Sequence, residues 1–377
     1  MAYEIDFIGV KDTECKKDAD AICLRWKSGK DYYGNDVYTV GVVDSGFEAH
    51  GQAMVRHMNE YYFNDAVGRK TPFEKNVDFV VVTHPDSDHT TGLKVILENF
   101  NVQKIYMNRP WLYIDFLFPF VDDGRVTKSS LKERLYEKYS TIAEIEAIAL
   151  AKRIQILEAF QGTIISDKID ILSPSWKFYI SLLLESEKTP LQNKGLFQQA
   201  FDTYTRITES VKSLLETWFN EELRENVSTS AENESSVVLF GLDEGQGFLL
   251  TGDAGIRALT EALDYANCNG KDISSDLSFY QMPHHGSRRN VSPSLLNRML
   301  GKVVPKDEKT GKTSFASVAE KSDHPLKMVT NAYIRRGVTT YKTQGDTICH
   351  KHGNMPDRGW TKMNEIQFSP YVEDWDD

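Results

Sequence analysis

Thr83-His84-Pro85-Asp86-Ser87-Asp88-His89-Thr90-Thr91-Gly92 is the stretch that decides how this chain reads. It places four side chains of metal-ligand type, His84, Asp86, Asp88 and His89, within six residues. The run before it, Val77-Asp78-Phe79-Val80-Val81-Val82-Thr83, is apolar, β-branched and too short for a buried helix. It reads as an interior strand whose end delivers His84. Imidazoles and carboxylates crowded beside a core are costly unless a cation offsets them. A polar loop with a helix N-cap from Ser87 or Asp88 is the plainer alternative, but a cap needs one such residue rather than four.

Working outward, three more strand ends present similar groups. Asp44 follows Val40-Gly41-Val42-Val43, Asp253 closes Leu249-Leu250-Thr251-Gly252-Asp253, and a histidine pair closes Tyr280-Gln281-Met282-Pro283-His284-His285-Gly286-Ser287. Singly, Asp44 and Asp253 read as turn residues. Together with His84 and His284 they outline a metal centre at one edge of a layered α/β protein, where strand ends gather.

Between these islands the chain alternates. Ala21–Trp26 and Tyr38–Val43 read as strands, with Lys27-Ser28-Gly29-Lys30 as a turn, and a helix is expected from about Gln52 to Phe63. Two helical excursions are expected at about 111–161, where apolar residues such as Leu131, Leu135, Ile142 and Ile145 recur near a 3.6 period, and at about 175–225. A strand from Ile164 to Leu172 separates them, and a hairpin with Gly241, Gly245 and Gly247 in its turn joins Ser236–Phe240 to Gly247–Thr251. Arg335-Arg336 reads as the basic end of a helix Leu326–Arg335, and Glu373–Asp377 as a solvated acidic end.

The order Asp44, His84-x-Asp86-x-Asp88-His89, Asp253 and His284 resembles the metallo-β-lactamase fold superfamily, whose signature is H-x-H-x-D-H followed by a Gly-Asp and a last His. The resemblance spans about Ala2 to Thr347. Asp86 in place of the second His, the Leu-Thr-Gly-Asp strand end, Pro-His-His-Gly-Ser and Ser322-Asp323-His324-Pro325 are similar to the hydrolase domain of ComEC-type DNA-uptake proteins, here without their membrane helices. This resemblance implies an α/β fold, a four-layer αββα sandwich, as a single domain over residues 1–377 with the two excursions as helical insertions. It also implies two divalent metal ions, zinc or manganese, with magnesium as a further choice. His84 and Asp86 would hold the first ion, Asp88, His89 and His284 the second, and Asp253 would bridge. The third-motif His expected before the Leu-Thr-Gly-Asp strand is absent, and Asn233 and Ser235 stand there. Asp88 is also expected to orient the attacking water, and Asp44 to brace a ligand from outside. The Ser-Asp-His-Pro context makes His324 a candidate proton donor, with capping of the following helix as the alternative. His285 reads as a ligand, an outer donor or a substrate contact.

Ser287, Arg288 and Arg289 complete the expected substrate side, because guanidinium forks suit phosphate oxygens. The leading expectation is a metal-dependent phosphodiesterase acting on DNA or RNA. The alternatives are a hydrolase of small esters, lactones or thioesters, and a partner-binding component whose helical insertions, with Trp111, Phe116, Phe118 and Phe120, meet another protein. Across the 377 residues, 44 Lys+Arg against 55 Asp+Glu give a net charge of −11, so nucleic acid is expected only at a local site and not over a broad basic surface. No basic leader or long apolar run stands out, and Cys15, Cys23, Cys268 and Cys349 lie far apart, so a reduced, cytoplasmic protein away from membranes is expected.

Overall fold

The structure, a computed structural model, describes residues 2–63, 75–121, 123–189, 216–241 and 246–375. The first part of the chain runs β1 (Tyr3–Phe7), β2 (Ala21–Lys30), β3 (Asp36–Ser45), β4 (Asn76–Val77), β5 (Phe79–Val81), β6 (Asn101–Val102), β7 (Lys104–Tyr106) and β8 (Gln155–Leu157). The second runs β9 (Ile164–Ile165), β10 (Ile169–Ser173), β11 (Val238–Gly241), β12 (Gly247–Leu250), β13 (Leu277–Gln281), β14 (Thr313–Ala316), β15 (Thr339–Lys342) and β16 (Ile348–His352). Seven strands form one sheet in the order β16-β1-β2-β3-β5-β7-β8. Seven form the other, β15-β14-β13-β12-β11-β10-β9, and β4 pairs with β6 separately.

The alternation of side chains along each strand assigns the layers. Phe79 and Val81 of β5 point between the sheets, where they meet Phe248, Leu250 and Phe279, while Val80 faces outward. On that outer face, Val80 and Ile105 pack against Met54 and Met58 of the helix Glu48–Tyr61 and Ile142 of the helix Ser140–Ala151. On the far side, Leu249 and Tyr280 meet Leu259 of the helix Ile256–Cys268, Leu296 of Pro293–Leu300 and Val329 of Lys327–Arg335. Helices, sheet, sheet, helices: the result is the expected four-layer αββα sandwich.

Several local expectations shift. β2 continues through Lys27–Lys30, and the turn falls later, where the Asp31 carboxylate accepts from the backbone of Tyr33 and Asn35. The strand expected over Ile164–Leu172 is two short strands, β9 and β10, folded back at Ser166 and Asp167, both in the left-handed region. The first excursion ends in β8 rather than in helix. In the second excursion the described helix is Trp176–Glu185, and residues 190–215 lie outside the described residues, as do Gly245 of the hairpin turn and the last two acids of the tail. Arg335 and Arg336 do form the basic end of the helix Lys327–Arg335, as expected, but not at a free surface. Both are buried, Arg335 against Glu216 (3.0 Å) and Arg336 against Glu221 (2.9 Å), so they fasten residues 216–221 to the second helical layer. Glu373 is not free in solvent either. Its carboxylate accepts from the backbone N–H of Lys327 at 2.9 Å and caps that helix. Trp111 is core, stacked on Tyr136 at 4.1 Å, whereas Phe116 and Phe120 are about half exposed. Among the described residues no helix is long and apolar enough to cross a membrane, and the four cysteines are free thiols.

Candidate metal centre

The centre forms where β3, β5, β12 and β13 end together. These strands run parallel to a neighbour within their own sheet, β3 with β5 and β12 with β13. Their C-terminal ends therefore lie in pairs, and the two pairs meet across the sandwich. Val237 N–H donates to the Thr83 carbonyl (3.1 Å) and His284 N–H to the Gly252 carbonyl (3.1 Å), which ties the loops of the two sheets and of neighbouring strands. Gly252 makes this approach possible: its φ is +49°, and a Cβ there would stand 2.9 Å from the Thr83 hydroxyl. Asp44, His284 and His285 also adopt positive φ, at 55°, 48° and 57°. Such backbone costs about 1–3 kcal/mol per residue and persists where surrounding contacts over-determine it, often at functional sites.

Each of the four histidines is held from outside through Nδ1. The Thr83 hydroxyl donates to Asp44 Oδ2 (2.5 Å), which leaves its oxygen to accept from His84 Nδ1 at 3.1 Å. His89 Nδ1 donates to the same Asp44 oxygen at 2.7 Å, and His285 Nδ1 to the Ser317 carbonyl at 2.8 Å. Asn290 donates its amide to the Asp253 carbonyl at 2.7 Å, so its own oxygen faces His284 Nδ1 at 3.1 Å. The Asn233 amide nitrogen stands equally far from His284 Nδ1, at 3.1 Å, so that ring is gripped between two amides. At His84, His89 and His285, donation from Nδ1 turns the lone pair of Nε2 inward, the arrangement that metal-ligating histidines use.

The inward nitrogens meet at Asp253. His89 Nε2 lies 3.1 Å from Asp253 Oδ1, while His84 Nε2 and His284 Nε2 lie 3.8 and 3.4 Å from Oδ2. His84 Nε2 is also 3.7 Å from Asp86 Oδ2, and His285 Nε2 is 3.5 Å from Asp88 Oδ2. Ligand atoms of Asp88, His89, Asp253 and His285 all fall within 4.8 Å of one another. His84 Nε2, His89 Nε2, His285 Nε2 and Asp253 Oδ1 are buried with no hydrogen-bond partner. Four buried acceptor-type atoms with nothing to accept from are what a divalent cation would satisfy, so the residues present fit the metal that this fold implies. Without one, protons take its role. Burial opposes charge on His89 and His285, but Asp253 and Asp44 hold His89 well above its usual value, and Asp88 and Asp20 hold His285 at about 9. Burial also opposes charge on Asp253, yet the imidazoles of His89 and His284 keep its carboxyl well below the usual range.

The structure thus brings His84, Asp86, Asp88, His89, Asp253 and His284 to one centre and adds His285. It exchanges the histidine pair. His285, foreseen chiefly as an outer or substrate contact, stands with Asp88 and His89, and His284 stands on the opposite oxygen of Asp253 beside His84. Asp44 sits behind His84 and His89. Ser287 is buried and accepts from Arg289 N–H (3.3 Å), a turn role. Arg288 does not offer a free fork: its guanidinium donates to the carbonyls of Asp374 and Trp375 and lies over the Trp375 ring. Arg289 is exposed. His324 does not cap the following helix, and its Nδ1 lies 3.3 Å from Asp18 Oδ2. Asp18 and Asp20 were missed. Asp20 is buried, accepts from Gln281 (2.8 Å) and lies 3.9 Å from His89 Nδ1. A signal existed: β2 runs antiparallel to β3, with Ala21 opposite Ser45, so residues just before β2 share the edge on which β3 ends.

Residues 39–126 match the sequence profile of the Metallo-beta-lactamase superfamily, a segment that holds Asp44 and the His84–His89 motif. Among solved structures, the chain is similar to a diphosphatase from the PhnP family at 9% identity, covering 93% of this chain and 98% of that one with a TM-score of 0.40. It is also similar to zinc-bound PqqB from Methylobacterium extorquens at 11% identity, covering 92% and 99% with a TM-score of 0.39. A third is a long-form RNase Z from yeast at 10% identity, covering 84% of this chain and 37% of that one with a TM-score of 0.35. No curated protein matches the chain in sequence. The chain thus has the metallo-β-lactamase fold, and its residues 39–126 carry the sequence pattern of that superfamily.

Proposed function

We propose that the chain is a metal-dependent phosphodiesterase that hydrolyses nucleic acid at a local site, where His84, Asp86, Asp88, His89, Asp253, His284 and His285 would hold two divalent ions, zinc or manganese. The observation that carries this reading is the division of the Asp253 carboxylate, one oxygen toward His89 and the other toward His84 and His284. A carboxylate shared in this way suits a pair of cations, and cations held there supply Lewis-acid charge that makes water acidic and offsets charge growing on a phosphoryl oxygen. The protein's own groups do the rest. Asp88, held by His285, presents a partly exposed carboxylate that can accept a proton of the attacking water. His324, steadied through Nδ1 by Asp18, keeps Nε2 for donating a proton to the leaving oxygen. Asp44, Thr83, Ser317 and Asn290 fix the rings so that no reorientation is needed.

The narrower likeness to ComEC-type hydrolase domains rests on the motif residues alone. Engagement of Arg288 by tail carbonyls favours a second reading, hydrolysis of small esters, lactones or thioesters, since it removes one guanidinium from the expected phosphate contacts. Incubating the protein with labelled single- and double-stranded DNA and RNA plus Mn²⁺, Mg²⁺ or Zn²⁺ separates the two. Cleavage that disappears in His84→Ala supports the proposal. Intact nucleic acid with every metal demonstrably bound rejects it.

A further inference from the structure

One cation of the protein itself reaches the centre. Lys188 Nζ lies 2.5 Å from Asp86 Oδ1, while the other oxygen of Asp86 faces His84 at 3.7 Å. Among the described residues, Lys188 is the lysine or arginine ion-paired with a carboxylate of the centre, where the other pairings are to histidines. A surface lysine beside an aspartate is commonly worth little, because ordering two long side chains offsets the attraction. Here the ordering is built in. Lys188 N–H donates to the Ser186 hydroxyl (3.0 Å), which donates to the buried Glu232 carboxylate (2.5 Å). The Tyr139 hydroxyl meets both Ser186 (3.0 Å) and Thr189 (3.3 Å). Just upstream, Glu185 ends the helix Trp176–Glu185 in a paired ion bridge to Arg257, at 2.6 and 3.0 Å. The segment that carries Lys188 is thus fastened to both helical layers.

An ammonium has three donors, and Asp86 takes one. The side chain is 35% exposed, so the remaining donors are open to a ligand at the mouth of the centre. We propose that Lys188 is the phosphoryl-binding cation of this site: it braces Asp86 with one N–H and meets a non-bridging oxygen of the substrate phosphodiester with another. The proposal rests on the phosphodiesterase reading and names the contact that Arg288, occupied elsewhere, does not make. It also fits the acidic chain, since one point charge at the mouth recruits a phosphate without a basic surface.

Inorganic phosphate is the probe. Cation-loaded wild type, Lys188→Met and Lys188→Arg are titrated with it calorimetrically, with metal content measured on the same samples, and Lys128→Met, an exposed lysine paired with Asp115, is the control. The expected result is phosphate binding weakened by about tenfold or more in Lys188→Met, largely restored in Lys188→Arg and unchanged in Lys128→Met. Equal affinity in wild type and Lys188→Met overturns the proposal, as does a loaded wild type that binds no phosphate. Should Lys188→Met lose metal, Lys188→Arg decides: restored metal without restored phosphate binding also overturns it. Lys188-dependent phosphate binding in a protein that cleaves no nucleic acid would instead overturn the nuclease reading alone.

Discussion

The two sheets are built alike and supply the centre differently. Each has three antiparallel pairs followed by three parallel ones, β16-β1-β2-β3 then β5-β7-β8, and β9-β10-β11-β12 then β13-β14-β15. In each, the two strands at the change of direction carry the centre's ligands or their support. The first sheet delivers four of them on one short segment after β5, behind which a single carboxylate, Asp44, holds two rings. The second delivers Asp253 and the histidine pair from separate strands and braces the two rings with different partners, His284 with Asn290, which also holds the Asp253 carbonyl, and His285 with Ser317. The first half is a compact motif with a common support. The second is assembled piece by piece, and its two histidines are supported independently of each other.

That contrast can be broken by experiment. Asp253→Asn should have the largest effect, since its carboxylate faces ligands from both halves: both cations and at least about a hundredfold of activity are expected to go, more than the 10–100-fold typical for an outer partner. Metal analysis and turnover on the same sample check this, and retention of two ions would end the bridging assignment. Next, His284→Ala and His285→Ala should each lose one ion, from opposite sides of Asp253. If either variant loses both, the two are not independent. Asp44→Asn should weaken metal binding by about 10–100-fold at both positions together, because it supports His84 and His89 alike, whereas Asn290→Ala should act most strongly on the His284 side, with a smaller effect through the Asp253 backbone that it also holds. Competition with a chelator of known affinity resolves these.

The last prediction concerns stability and leaves the metal untouched. Glu234 is buried behind the helix Ile256–Cys268 and accepts from Ala258 N–H at 2.8 Å. Burial raises its pKa to about 7, although that N–H bond and Arg257 oppose the rise. The folded protein therefore holds the proton more tightly than the unfolded chain. The stability this confers is complete below about pH 4.5 and is lost as pH rises through 7, by about 3 kcal/mol in all. Denaturant unfolding at several pH values should show this slope in wild type and lack it in Glu234→Gln.

The legibility of the sequence followed the same division. His84, Asp86, Asp88 and His89 could be read because one loop holds them all, and β-branched runs with turn residues sufficed for the layered fold. The exchange of His284 and His285 could not. Both residues sit in left-handed backbone, which sends adjacent side chains to opposite sides of Asp253, and no spacing rule distinguishes them. Asp18 and Asp20 escaped because they precede a strand, while attention to strand C-termini finds only the parallel partners. Lys188 and the burial of Arg335 and Arg336 depend on which segments pack together over more than a hundred residues, as Lys188 with Asp86 and Arg335 with Glu216 do.

The cap that Glu373 places on the helix Lys327–Arg335 has a practical side. Through Asp374 and Trp375 the same few residues also grip Arg288, four positions beyond His284. Loosening this grip would therefore reach the turn that carries the histidine pair. Comparing the metal content of Glu373→Ala with that of the unchanged chain reads how tightly residues 373–375 and the centre are coupled.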